Sequence, residues 1–205
     1  MAGMTSRDPL PLPVEPQTPQ ARLARRVREA VEQRGEAAAA GLAVRLLTGA
    51  VTPEDVTSGA ARALTGDDAA LTPAATGALA LATVWHRRAV PALIEALDAG
   101  APDVRAAALL VLAARADDLR ADALVDRALV DRVRETAGDP HPPVREAAAS
   151  ALGALARAED LARVEPVLSA MVMDVDPELA AAAELALAHV AQRLGRPDLD
   201  PAPQG

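Results

Sequence analysis

The chain has 205 residues, a formal net charge of −8 and no cysteine. Without cysteine there are no disulfides, no thiolate nucleophile and no Cys-ligated metal. A phosphate-backbone binder draws most of its affinity from basic residues, so the acidic balance argues against specific nucleic-acid binding. Hydrophobic residues make up 51% of the chain, but there is no Phe or Tyr, and Trp85 is the single tryptophan. Alanine dominates instead. Lys and Asn are absent and Ile94 is the single isoleucine, a bias that reads as the mark of a high-GC bacterium.

From the N-terminus, Pro9, Pro11, Pro13, Pro16 and Pro19 block helix and sheet, so residues 1–19 are expected as a disordered tail. No apolar stretch there resembles a secretory signal, and no run elsewhere is long enough to span a bilayer. A cytoplasmic protein without a membrane span is expected. Residues 20–195 read as helical throughout, with breakers at Gly35, Gly49 with Pro53, Gly66, Gly100 with Pro102, Gly138 with Pro140, and Pro177. No segment alternates with period two. Residues 196–205 contain Pro197, Pro201 and Pro203 and are expected as a second disordered tail.

Within the helical region a repeat emerges. Anchored at Leu71, Val104, Val144 and Leu179, four helices align without gaps. Ala follows three and four residues on (Ala74 and Ala75, Ala107 and Ala108, Ala147 and Ala148, Ala182 and Ala183). Leu follows eight residues on, at Leu79, Leu112, Leu152 and Leu187. Offsets 0, 3, 4 and 8 lie on one face of a helix. Each of these helices has a partner before it: Pro53–Leu64, Val90–Leu97, Leu119–Thr136 and Leu161–Met173. The third partner is long enough to hold an extra short helix. With Gln20–Arg34 and Glu36–Leu47 ahead of them, the expected fold is an all-α solenoid of about five helical hairpins, or ten helices. The first helix carries Arg22, Arg25, Arg26, Arg28 and Arg34 beside an apolar stripe of Leu23, Val27, Ala30 and Val31. It fits a capping helix, or one that lies on an acidic surface.

The run Asp139-Pro140-His141-Pro142-Pro143-Val144-Arg145-Glu146-Ala147-Ala148 through Leu155 resembles the second half of a HEAT repeat. Val90-Pro91-Ala92-Leu93-Ile94-Glu95-Ala96-Leu97 and Asp103-Val104-Arg105-Ala106-Ala107-Ala108 resemble the two helices of the preceding unit. The resemblance covers residues 90–156 closely, 157–194 fairly and 53–88 weakly, with Thr72-Pro73 where the family has a charged residue. It implies that the turn Asp caps the second helix and that the Arg after the anchor bridges to a neighbouring repeat. Asp139 with Arg145, and Asp103 or Asp98 with Arg105, fit that pattern. Ala180 stands where the last repeat would have its Arg, as at the end of a ladder.

No catalytic, cofactor or metal site is expected. His86, His141 and His189 lie in different repeats, and the acids sit where helix caps belong. The expected function is a non-catalytic interaction module that binds another protein, of basic or mixed charge, on the concave layer of second helices. The alternative is a HEAT-like enzyme, of DNA-glycosylase or lyase type; the acidic charge and the lack of catalytic motifs disfavour it. In Trp85-His86-Arg87-Arg88, Trp85 and Arg88 are candidates for a binding hot spot, the rival reading being that Trp85 fills a gap between hairpins. Taking offsets 1 and 5 as outward-leaning adds Arg105, Arg145, Leu109, Ala149 and Glu184 as partner-binding candidates.

Overall fold

The computed structural model describes residues 18–66 and 71–199. Among them are twelve α-helices and no strand. They are α1 (Pro19–Arg34), α2 (Glu36–Thr48), α3 (Pro53–Thr57), α4 (Ala60–Thr65), α5 (Pro73–Ala80) and α6 (Val90–Ala96). There follow α7 (Pro102–Ala114), α8 (Ala116–Ala121), α9 (Arg127–Glu135), α10 (Pro142–Leu155), α11 (Leu161–Val172) and α12 (Pro177–Leu194). The count exceeds ten because two first helices are broken. Gly59, with φ 71°, separates α3 from α4, and the turn after Ala121 separates α8 from α9. The long third partner thus holds the expected extra helix.

The four repeat helices α5, α7, α10 and α12 each open on a proline at N1, where a missing N–H costs nothing. They stack side by side and parallel. At the N-terminal ends, Thr72 Oγ1 donates to Asp103 Oδ2 at 2.7 Å, and Arg105 bridges to Asp139. At the C-terminal ends, arginines from neighbouring units satisfy the open carbonyls. Arg115 Nη2 donates to Ala82 O at 2.7 Å, Arg193 Nη2 to Ala156 O at 2.5 Å, and Arg120 to Ala154 O. Small side chains permit close stacking. A Cβ on Gly153 would lie 2.8 Å from Ala186 Cα.

The periodic face is core in three repeats. Leu112 and Leu152 are 0% exposed and Leu187 6%. Leu79, on the last turn of the eight-residue α5, is only partly buried against that core, contrary to expectation.

The first hairpin is not another copy of the repeat. Gly77 of α5 sits against Ala43 to Leu47 near the end of α2, while Thr83 and Val84 share a groove with Glu36 at its start. α2 therefore runs antiparallel to α5 and closes the stack as a cap. A Cβ on Gly77 would come within 2.6 Å of Ala43 O and 2.7 Å of Leu47 N, so only glycine admits this approach. Arg45 holds Asp55 bidentately at 2.8 and 2.6 Å and ties the cap to α3. The apolar stripe of α1 is used inside the chain: Leu23 and Val27 are buried, and Ala30 and Val31 pack on the core. Arg26 Nε donates to Leu64 O at 2.9 Å.

Both tail boundaries move outward. Pro19 is the first residue of α1, capped by the Thr18 side chain. At the other end Pro197–Leu199 form a 3-10 turn, and Leu199 is buried with Leu161, Val190 and Ala191. The rest of the expected tails, residues 1–17 and 200–205, lie outside the described residues.

Candidate interaction surface

A helix inside a solenoid has three neighbours: its own first helix, the unit before and the unit after. This fixes which positions stay open. Offset 5 of α5, α7 and α10 (Thr76, Leu109 and Ala149) is buried, with Leu109 and Ala149 at 0% exposure. The expectation that offset 5 leans outward is therefore corrected, because that side faces the following unit. The same offset in α12 is Glu184, which is exposed because no further helix follows. Leu109 and Ala149 are packing residues and cannot touch a partner.

What remains open is the strip at offsets −1, 2 and 6. It holds Asp103, Ala106 and Leu110 on α7, Pro143, Glu146 and Ser150 on α10, and Glu178, Ala181 and Leu185 on α12. Leu110 is 46% exposed and Leu185 72%. The centre is acidic. Burial first, then the carboxylates of Glu178 and Asp176, push the Glu146 carboxyl up, against the weaker pull of Arg145. The periodicity already marked these positions by omission, as those left over once three neighbours, rather than one core face, are assigned.

Arg105 is taken up by the inter-repeat ladder. Its Nε and Nη2 donate to Asp139 at 2.8 and 3.0 Å, and its Nη1 to Ala99 O at 2.6 Å and Gly100 O at 3.1 Å. Its carboxylate partner is in the following unit, a bridge between neighbouring repeats as the resemblance implies. Asp98 pairs with Arg132, and Asp103 with Thr72. Beside Arg105 the Asp139 carboxyl is lowered to about 2. His141 is a turn residue, its backbone N donating to Asp139 Oδ1 at 2.9 Å. Arg145 repeats only part of the Arg105 arrangement, with Nη1 donating to Asp139 O at 3.1 Å and Pro140 O at 3.3 Å.

Trp85 is half-buried against the core, and the Arg115 guanidinium lies 5.7 Å from its ring centroid. It is off the open strip and fills the end of the α5 unit. Arg88 is exposed and lines a shallow groove of about 540 Å³ with Arg87, Pro91, Ile94, Glu95 and Leu124. The structure does not bring Trp85, Arg88 and Glu184 onto one surface. Among the described residues no group of three His, Cys, Asp or Glu side chains is placed to hold a metal, and no helix is long and apolar enough to cross a membrane.

No curated protein matches the chain. The family model for the HEAT repeat matches residues 129–158, from the first turn of α9 to just past the end of α10. That pair contains Asp139, which receives the Arg105 rung, and Leu152 in the core; with this match on a stack of paired helices, the chain contains a HEAT repeat at residues 129–158.

Proposed function

We propose that the chain is a non-catalytic interaction module that binds a partner protein along the open strip of α7, α10 and α12. The observation that carries this reading is the pair Leu110 and Leu185, exposed at offset 6 of α7 and α12 on the same strip, with the carboxylates of Glu146 and Glu178 on its N-terminal side. Helices in contact lie about 8–10 Å apart, which places the two leucines roughly 16–20 Å from each other. Such a span suits a protein segment. The grooves are shallow and open, unlike the enclosed cavity that a small substrate needs. A partner with basic residues to one side of two apolar anchors complements this surface. The acids and the absence of arginine and Trp85 from the strip speak against the glycosylase-like alternative.

The chain lacks cysteine, so single-cysteine variants can be labelled cleanly. A partner captured from the native host should protect cysteines placed at 106, 110, 146 and 185 from a maleimide, and leave one at 162, on α11, reactive. Protection at 162 with none on the strip would sink the proposal.

A further inference from the structure

Arg105 and Arg145 occupy the same offset in successive units and hold the same two backbone carbonyls, five and six residues back. Arg105 spends its remaining fork, Nε and Nη2, on the Asp139 carboxylate, with both side chains about nine-tenths buried. Arg145 has no carboxylate within ion-pair distance among the described residues, and its Nε and Nη2 have no acceptor there. The position equivalent to Asp139 is Asp174. It forms the same local turn, accepting from Asp176 N at 3.0 Å, but it does not reach Arg145. Where the rung is open a groove of about 480 Å³ opens between the third and fourth repeats, lined by Arg134, Arg145, Val167, Ala170, Met171 and Asp174 among others.

A second observation concerns charge. Among the described residues Arg134 has only Asp131 for an ion-pair partner, at 3.5 Å, and its Nε makes no hydrogen bond there. Asp131 also serves Arg163 at 2.5 Å and Arg127 at 3.6 Å. One carboxylate shared by three guanidiniums leaves Arg134 under-neutralised, so the groove carries two arginines against the single acid Asp174.

We propose that this groove is a docking site for a segment of a partner protein in which an acidic residue adjoins an aliphatic one. The carboxylate takes the place on Arg145 that Asp139 takes on Arg105, with bidentate geometry. The aliphatic side chain lies on Val167 and Ala170. The inference rests on the reading of the chain as a protein-binding module, but it concerns a different surface from the strip, so either can fail alone.

The test is a titration of the 15N-labelled full chain with the blocked dipeptide N-acetyl-Asp-Leu-amide, followed by NMR. Shifts are expected at the Arg145 side-chain Nε–H and at the amides of Ala170, Met171 and Asp174. The Asn-Leu analogue should bind about tenfold more weakly or worse, the scale of one charge-assisted pair, and Arg145→Gln should abolish the response. Asp174→Asn should strengthen binding, because it removes a like charge from the groove. Equal response to both dipeptides, shifts confined to other surfaces, or a loss of thermal stability in Asp174→Asn equal to that in Asp139→Asn would overturn the proposal. The last outcome would mean that Asp174 itself closes the rung.

Discussion

The two ends of this molecule solve the same packing problem differently. From α5 to α12 the second helices run parallel, and each interface has a polar tie at one end or both, of which Arg105–Asp139 is the most complete. At the N-terminus α2 crosses α5 the other way, with Gly77 against its backbone and Arg45–Asp55 as the lock. The comparison teaches that a sequence period reports a repeated environment rather than helix pairing as such. Where each helix is covered on the same three sides, the same offsets are apolar. Where the neighbour turns round, the period vanishes although the helices persist.

The largest effect should come from removing core from the regular half. Leu152→Ala and Leu112→Ala, both at fully buried positions, should cost about 2–5 kcal/mol in denaturant unfolding. Leu79→Ala, at the edge of the regular stack, should cost clearly less. Equal losses would erase the distinction between the halves.

Gly77→Ala probes the cap. The added methyl meets backbone atoms that cannot rotate away, so a cost of about 1–3 kcal/mol is expected. Hydrogen exchange should quicken in α1 and α2 while α10 and α12 stay protected. Uniform quickening would show that the cap and the repeats open as one unit.

The order of magnitude is similar for acid. Asp139 is lowered to about 2, so its folded value lies below that of an unfolded carboxyl, near 3.9. Its contribution is complete above the unfolded value and is lost as pH falls from about 4 towards 2, worth roughly 2 kcal/mol in all. Arg105→Gln should remove most of that pH dependence. Asp55, held well below the usual carboxylate range first by Arg45 and then by the Thr52 backbone, shifts in the same direction. Arg45→Gln should therefore flatten the acid transition in the cap as Arg105→Gln does in the repeats.

These contrasts also mark what could be read from residues alone. Leu112, Leu152 and Leu187 were legible because period, spacing and residue type agree at those positions. The extra helix before α10 was legible from the length between breakers. The orientation of α2 was not, because alanine-rich helices carry little side-chain information about which face meets which neighbour. Nor was the fate of Leu109 and Ala149. Treating a helix as having one core face leaves offset 5 outside, whereas in a stack the following unit covers it. That Arg105 bridges to a neighbouring repeat was implied by the resemblance, but which acid it meets, Asp139, is set by stacking, which local spacing does not encode. Leu199 was hidden behind the prolines around it, which exclude a long helix but allow a 3-10 turn.

The smallest expected effect concerns the strip. The raised Glu146 carboxyl works against folding once it ionises, so Glu146→Gln should leave the unfolding midpoint unchanged or slightly higher. It should nevertheless weaken a basic partner. A drop in stability would instead give Glu146 a structural role.

The middle second helices are covered on three sides and open along the strip at offsets −1, 2 and 6. Maleimide labelling of the adjacent single-cysteine variants Leu109→Cys and Leu110→Cys, in the folded full-length chain, tests this most directly. A cysteine at 110 should react at a rate close to that of a free thiol, and one at 109 should react only on global unfolding. Comparable rates at the two positions would contradict the stacked arrangement, and with it the surface on which partner binding is placed.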